Sequence, residues 1–332
     1  MRFGLRVDHG PSIGLGHVRR CLSLARALKT VGAYCVFMDY TARPMLADFD
    51  LEMVSVNERK EPDATIQFAK LVDADAIVLD SYTWTTDQIQ ALRQTGLSVI
   101  MIDDLADRML PVDAIVNASP AFQRSQYRAL PETRFFLGPQ FALLDSGYGA
   151  GFDRNFNRPL MRLLVTLGGT DVQQLSFQLA RWSLEVLPQA TVDVVVGGSF
   201  SSEPVNNSRV NVHQNLGSLR ELMLQSDAAV CGGGHTLLEM AATATPAVVL
   251  LVADNQRYNV ESMSNLGCCL WIGSPDDHDL EGGLKSAIRA LDRDPGLRSS
   301  IGTTAHNLID GFGAHRVASE LVILLREKNR HD

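Results

Sequence analysis

The residues around His17 have the types and spacing of a catalytic loop. Gly14 and Gly16 precede His17, and glycines let the backbone turn tightly and approach a ligand closely. The pattern places His17 in the first turn of a helix, where the positive end of the helix dipole opposes protonation. Since a neutral imidazole can act as a general base at pH 7, we predict that His17 is catalytic. The alternative is a histidine that caps or packs the helix.

Three acidic residues and a tyrosine follow apolar runs further along the chain. Tyr82 can donate a hydrogen bond into a binding cleft, and Asp80 can orient a neighbouring side chain. Asp103 and Asp104 form an acidic pair without a supporting histidine or third acid, so a solvated strand end or a helix cap is favoured over a metal site. The sequence therefore predicts no metal and no cofactor.

Two glycine-rich segments of the second half, residues 168–171 and 231–239, are predicted to bind a nucleotide diphosphate. Each combines free backbone N–H groups, a hydroxyl and a helix start, which suits anionic groups. Glu239 lies one turn into the helix that is predicted to follow the second segment, where its carboxylate can accept hydrogen bonds from ribose hydroxyls. The alternative is a capping box between Thr236 and Glu239. The candidate binding residues are Gly14, Gly16, Arg20, Gly169, Thr170, Asp171, Gly233, Gly234, His235, Thr236, Glu239, Asn255 and Gln256.

Several ligand classes are excluded by pattern and charge. The third glycine of a dinucleotide fingerprint is replaced by Arg19, and no Gly-Lys-Ser/Thr follows the glycines as in a Walker A loop. The formal net charge is −8, and no block of five or six basic residues occurs. We therefore expect no nucleic-acid partner and no anionic membrane surface.

The elements that position these residues alternate between short apolar runs and amphipathic helical stretches. Continuously apolar, β-branched-rich runs are typical of parallel strands covered on both faces. The predicted strands are 3–7, 34–38, 76–79, 99–102, 114–116, 135–137, 163–167, 192–196, 210–212, 228–231, 247–252 and 269–272. This alternation predicts an α/β fold built from right-handed βαβ units.

A segment rich in glycine, asparagine and aromatic residues separates the two sets of six strands. We interpret residues 149–159 as a linker between an N-terminal domain, 1–148, which carries the histidine loop, and a nucleotide-binding domain, 160–332. Two such Rossmann-like domains are predicted to face a cleft, since ligands bind beyond the carboxyl ends of the strands. The last helix, 314–326, is predicted to pack back on the N-terminal domain.

The composition is that of a globular protein. The chain has 332 residues, of which 45% are hydrophobic and 20% charged, and no stretch approaches the roughly 20 apolar residues of a membrane helix. Charge interrupts the first apolar run too early for a secretory signal. Five cysteines without a Cys-x-x-Cys pair favour reduced thiols over disulfides or zinc. We predict a cytoplasmic protein without membrane insertion.

The motifs resemble one known family over nearly the whole chain. The run R-x-D-x-x-x-x-I-G-x-G-H-x-x-R-C-L-x-L-A, residues 6–25, is similar to the start of the UDP-2,4-diacetamido-2,4,6-trideoxy-β-L-altropyranose hydrolases of pseudaminic acid biosynthesis. Further matches follow in order at 80–82, 103–104, 138–144, 168–171, 232–239, 255–256 and 310–317. His9 and Asp145 depart from the family pattern.

The resemblance implies a GT-B-like fold and metal-independent hydrolysis of a UDP-activated amino-deoxy sugar. It implies that His17 is the catalytic residue and that Tyr82 lines the active site. We expect Asp8 or Tyr82 to orient His17 or the attacking water, and the sequence does not distinguish the two. Other enzymes of the same sugar pathway, which serves surface polysaccharides or flagellin glycosylation, are candidate partners. Two other interpretations stay open: a GT-B glycosyltransferase with a sugar acceptor, and a non-catalytic nucleotide-sugar-binding subunit.

Overall fold

The computed structural model divides into two compact units. The first takes most of residues 1–146 together with 312 to the end of the chain, and the second takes 147–311. The structure describes residues 1–8, 16–39, 52–56, 60–151, 154–168, 175–197, 207–214, 216–328 and 330.

The first unit is built on a parallel sheet with the order β3-β2-β1-β4-β5-β7-β9, beside a small parallel pair, β6-β8. Its strands are β1 (Arg2–Val7), β2 (Tyr34–Asp39), β3 (Met53–Ser55), β4 (Ala76–Asp80), β5 (Ser98–Ile102), β6 (Met109–Leu110), β7 (Ala114–Asn117), β8 (Arg128–Ala129) and β9 (Arg134–Leu137). Its helices are α1 (Gly16–Thr30), α2 (Asp63–Leu71), α3 (Thr86–Arg93) and, at the other end of the chain, α10 (Gly313–Lys328). The strand order reverses between β1 and β4, which is where ligands bind in open α/β sheets.

Alternate residues of the central strands fill two cores, one on each face of this sheet. In β4, Val78 belongs to one core, whereas Ile77 and Leu79 belong to the other, as the two-residue period of a strand requires. The core on the Val78 face also takes the buried side of α10, including Val317 and Leu321. The last helix therefore packs against the sheet of the first unit.

The second unit repeats the architecture, with a parallel sheet of order β12-β11-β10-β13-β14-β15. Its strands are β10 (Arg162–Thr166), β11 (Thr191–Val196), β12 (Val210–Gln214), β13 (Ala228–Gly232), β14 (Ala247–Leu250) and β15 (Leu270–Trp271). Its helices are α4 (Leu175–Val186), α5 (Arg220–Gln225), α6 (His235–Ala242), α7 (Arg257–Asn265), α8 (Leu280–Arg293) and α9 (Pro295–Leu308). Here the strand order reverses between β10 and β13, so the glycine loop after β13 lies at the switch point.

The predicted linker is built into the second unit. Arg154 donates to the carbonyls of Met223, Ser226 and Thr243 and to the hydroxyl of Thr245 at 2.7–3.2 Å, and burial lowers the pKa of its guanidinium to about 10. From α9, Arg298 binds the carbonyls of Phe156 and Arg158 at 2.7 and 2.6 Å. These two arginines give the predicted linker fixed partners in the second unit.

Each of the twelve predicted strands coincides with an observed one within a few residues. The three strands that the sequence pattern missed, β3, β6 and β8, have only two or three residues each. Within the described part of the chain, no helix combines the length and the apolar character needed to cross a bilayer.

Candidate active site

The carboxyl ends of β1, β4 and β5 bring the polar segments of the first unit together. Val7, the last residue of β1, pairs in register with Asp80, the last residue of β4, and Asp80 in turn pairs with Ile102. Helix α1 starts beyond β1, Tyr82 follows β4, and Asp104 follows β5. Parallel pairing therefore sets these side chains at one edge of the sheet.

His17 and Asp80 form a buried hydrogen-bonded pair. Nδ1 of His17 lies 2.5 Å from Oδ1 of Asp80, and the two residues are 7% and 0% exposed. An ionised carboxylate only accepts, so Nδ1 carries the proton and donates it to Asp80. In the neutral form of this ring the lone pair lies on Nε2, which is the tautomer that a general base needs.

Arg20 connects Asp80 to a second carboxylate. Its Nε and Nη2 both donate to Asp80 at 2.6 Å, and its Nη1 donates to the two oxygens of Asp104 at 2.8 and 2.9 Å. Burial alone would raise the pKa of Asp80, but Arg20, and after it His17, hold this pKa well below its usual range. Burial would lower the pKa of Arg20, but Asp104 and Asp80 raise it. Both groups therefore stay charged.

The ring of Tyr82 packs against His17. Its ring meets that of His17 edge-on, with centroids 4.8 Å apart and planes at 77°. Its hydroxyl donates to Asp104 at 2.6 Å. That proton is therefore engaged within the protein, whereas the sequence predicted a hydroxyl that donates into a cleft.

Asp8 has a different partner from the one expected. It is 5% exposed and pairs with Arg6, which also donates from Nε to Glu61 at 2.9 Å. The group that accepts from Nδ1 of His17 is Asp80, whereas we expected Asp8 or Tyr82 to orient His17 or the attacking water. A catalytic role for Asp8 stays a prediction.

The acidic pair after β5 divides between two tasks. Asp103 accepts hydrogen bonds from the amides of Leu105 and Ala106 at 3.2 and 2.8 Å, which makes a turn cap. Burial raises the pKa of this carboxyl. Asp104 belongs to the Arg20 and Tyr82 network, a role that sequence reasoning missed. No three His, Cys, Asp or Glu side chains among the described residues are grouped to hold a metal ion.

In the second unit, the loop 232–234 joins β13 to α6. The N-cap of α6 is Gly234, without a side-chain cap, and the helix begins at His235. Thr236 therefore lies inside the first turn, and the alternative of a capping box between Thr236 and Glu239 is not formed. Glu239 is 5% exposed.

Side chains from the segment after β14 hold this loop. The amide of Gly233 donates to Oε1 of Gln256 at 3.1 Å, and Nδ2 of Asn259 donates to the carbonyl of Gly233 at 2.9 Å. A Cβ at position 233 would overlap the side chain of Val260, so only glycine fits this approach. Sequence reasoning found Gln256 and the exposed Asn255 but missed Asn259. The signal was its spacing, three residues after Gln256 and thus on the same helical face.

Gly14, Gly169, Thr170 and Asp171 lie outside the described residues. Gly168, directly before them, has a φ of +99°, a backbone conformation that favours glycine.

Comparison with known proteins identifies relatives by sequence, although no protein-family model matches the chain. The spore coat polysaccharide biosynthesis protein SpsG of Bacillus subtilis is 22% identical over 339 residues, which cover 99% of this chain and all of that protein. The UDP-2,4-diacetamido-2,4,6-trideoxy-β-L-altropyranose hydrolase of Campylobacter jejuni is 24% identical, over 54% of this chain and 65% of that protein. A Helicobacter pylori protein named as both pseudaminic acid cytidylyltransferase and that hydrolase is 23% identical, over 76% of this chain and 45% of that protein. The Campylobacter and Helicobacter proteins carry the name of the family that the motifs resemble. The matches span less than two thirds of the lengths of the last two proteins.

Solved structures establish the fold. The chain matches the spinosyn forosaminyltransferase SpnP with a TM-score of 0.69 at 16% identity, covering 98% of this chain and 99% of that one. It matches MurG of Acinetobacter baumannii with a TM-score of 0.66 at 13% identity, covering 96% of this chain and 98% of that one. It also matches LpCGTa, solved in complex with UDP, with a TM-score of 0.68 at 13% identity, covering 98% of this chain and 99% of that one. The fold is GT-B, an α/β fold with two Rossmann-like units, as the sequence predicted. The cleft between the units stays a prediction.

Proposed function

We propose that the protein hydrolyses a UDP-activated amino-deoxy sugar, UDP-2,4-diacetamido-2,4,6-trideoxy-β-L-altropyranose or a close relative, to the free sugar and UDP. The observation that carries the proposal is the buried His17–Asp80 pair at the switch point of the first sheet. The names of the Campylobacter and Helicobacter relatives support the substrate class.

His17 acts as the general base in this mechanism. Nε2 takes a proton from water as the water oxygen bonds to the anomeric carbon, and the bond from that carbon to the diphosphate oxygen breaks. Asp80 keeps the proton on Nδ1 and stabilises the imidazolium that forms. Such a base supplies a factor of roughly 100–10,000 in rate.

The second unit holds the nucleotide. The first amide of α6 that bonds within the helix is that of Leu237, which donates to the Gly234 carbonyl at 3.1 Å. The amides of Gly234, His235 and Thr236 precede it and are donors for the diphosphate, whose charge grows as UDP leaves. The amide of Gly233 is not such a donor, because Gln256 already accepts from it. Glu239 is assigned to the ribose, and no metal is required.

A glycosyltransferase is the second candidate, because the matched solved structures include glycosyltransferases. In that case the base activates a sugar hydroxyl in place of water. A third interpretation is a nucleotide-sugar-binding subunit without activity. The described cysteines are free thiols, which fits the cytoplasmic location that we propose.

One experiment separates these functions. Purified protein is incubated with a panel of UDP-sugars, with and without sugar acceptors, and released UDP is measured. Release of UDP without an acceptor supports the hydrolase, and dependence on an acceptor supports the transferase. Tight UDP-sugar binding without turnover supports the binding subunit, and no binding of any UDP-sugar rejects all three.

A further inference from the structure

Both peptide groups that flank Gly233 are held by side chains. Gln256 accepts from the N–H of the peptide before Gly233, and Asn259 donates to the C=O of the peptide after it. The two contacts come from the start of α7 and the residue just before it. The loop therefore has little freedom to rotate either peptide.

The contact from Asn259 also fixes the direction of the next amide. A trans peptide is planar, and its C=O and N–H point in opposite directions. Because Asn259 draws the Gly233 carbonyl toward α7, the N–H of Gly234 in the same peptide must point away from α7. That N–H is one of the amides that precede the first intrahelical donor of α6.

The carboxamide of Asn259 can adopt only one orientation here. With Nδ2 on the Gly233 carbonyl, Oδ1 is buried and has no hydrogen-bond partner within the described residues. Rotating the amide by half a turn would set Oδ1 against the carbonyl oxygen and lose the only bond the side chain makes to this loop. Leaving the buried Oδ1 unpaired is costly. The structure accepts this cost and keeps the hydrogen bond from Nδ2 to the Gly233 carbonyl.

We propose that Asn259 is a positioning residue for the nucleotide diphosphate, because it aims the N–H of Gly234 at the diphosphate. The inference rests on the proposed function. Asn259 does not itself touch the ligand in this assignment, since its donor is engaged with the Gly233 carbonyl.

The test compares two ligands and two asparagines on one helix. Asn259→Asp keeps the size of the side chain but sets an acceptor against the Gly233 carbonyl, and Asn259→Ala removes the donor. Asn265, exposed at the end of α7, supplies the matched controls Asn265→Asp and Asn265→Ala. Calorimetry measures UDP binding, and ligand-detected NMR measures uridine, which lacks the diphosphate.

We expect both Asn259 variants to weaken UDP binding about tenfold or more, as for loss of one hydrogen bond to a charged group. Uridine binding should stay within about twofold of wild type, and both Asn265 variants should bind UDP normally. Equal weakening of UDP and uridine would mean a merely structural role and overturn the inference, as would unchanged UDP binding.

Control measurements cover the folding of the variants and UDP binding by the wild-type protein. If thermal melting shows that Asn259→Asp does not fold, Asn259→Ala decides by the same criteria. If the wild-type protein fails to bind UDP, the proposed function itself is rejected. If wild type binds UDP and the Asn259 variants bind it equally well, only the inference is rejected.

Discussion

The carboxylate of Asp80 accepts the Nδ1 proton of His17 and thereby decides which nitrogen of the imidazole is basic. Asp80→Asn keeps the shape but can donate to Nδ1, which would move the proton to Nε2. We expect turnover to fall by roughly 100–10,000-fold, comparable with the loss in His17→Ala. UDP affinity should stay unchanged in both variants, because neither residue is assigned to the nucleotide.

UDP release under saturating substrate and calorimetry with UDP check this prediction. His315→Ala removes a histidine from α10 and serves as the control. If Asp80→Asn retained most of the activity, the orientation of His17 by Asp80 would be irrelevant to the reaction. If His17→Ala retained it, another group would be the base.

The free energy of unfolding at acid pH should depend on the carboxylate of Asp80. Since Arg20 and His17 lower the pKa of Asp80 in the folded state, its stabilising contribution is present above the unfolded pKa of about 3.9. That contribution is lost as the pH falls below this value toward the folded pKa. Urea unfolding between pH 7 and pH 3 should therefore show a steeper acid loss in wild type than in Asp80→Asn. Parallel curves would contradict the assigned ion pair.

Tyr82 should matter chiefly through its ring. Tyr82→Phe keeps the edge contact with His17 and removes only the hydrogen bond to Asp104, which Arg20 still binds. We expect a loss of less than about tenfold in turnover for Tyr82→Phe, since a single hydrogen bond within the protein contributes modestly, and a larger loss for Tyr82→Ala. Equal losses in the two variants would show that the hydroxyl, and not the ring, carries the contribution of Tyr82.

Glu239 offers a separate test of the nucleotide site. Loss of a carboxylate that binds ribose typically costs about 1–3 kcal/mol, or roughly 5–150-fold in affinity. Glu239→Ala should weaken UDP binding by that factor, while Glu261→Ala on α7 serves as the control. Unchanged affinity for UDP in Glu239→Ala would remove Glu239 from the ribose site. Thermal melting shows whether the buried Glu239 side chain also contributes to stability.

The central strands of the sheets could be predicted from the sequence because they are fully buried. In β4 and β5 every residue is buried. Strand β4 is therefore apolar up to Asp80 at its carboxyl end, and β5 is apolar from Val99 to Ile102. Strand β3 has no such run: Met53 and Val54 are half-buried and Ser55 is exposed. With three residues at the edge of the sheet, it carries too few apolar positions to set a period.

The site was predicted where a residue follows a strand and was missed where its role depends on a partner from elsewhere. The loops carrying His17 and Tyr82 could be found by position. The role of Asp104 could not, because Arg20 and Tyr82 come from segments 84 and 22 residues away. The same holds for Asn259, whose carbonyl partner is 26 residues distant. Such pairings are fixed by the tertiary fold, and the local sequence does not show which residue is the partner.

The thiols should be inert in the folded protein. Burial raises the pKa of Cys268 to about 11 and those of Cys35 and Cys269 to about 12. At pH 8 iodoacetamide should alkylate the native protein far more slowly than the urea-unfolded protein, because the thiolate is the reactive form. Since these folded pKa values are raised, stability should fall as the pH rises from about 8.5 toward 11–12. Rapid modification of native protein, read by mass spectrometry, would contradict this.

Loss of the buried arginine Arg298 should strongly lower the free energy of unfolding of the protein. It is 1% exposed and donates to the carbonyls of Leu291, Asp292, Phe156 and Arg158, which ties the end of α8 to the segment before β10. Arg298→Met fills similar space but leaves these buried carbonyls without donors, and each such group costs about 1–3 kcal/mol.

We therefore expect Arg298→Met to lower the free energy of unfolding by about 3 kcal/mol or more in urea titrations. Arg289→Met, an exposed arginine on α8, is the matched control and should change this free energy by less than about 0.5 kcal/mol. A loss below about 1 kcal/mol in Arg298→Met would mean that water replaces the guanidinium at the four carbonyls. In that case the attachment of residues 154–158 would depend on Arg154, whose four hydrogen bonds go to Met223 in α5 and to Ser226, Thr243 and Thr245 in the connections after α5 and α6.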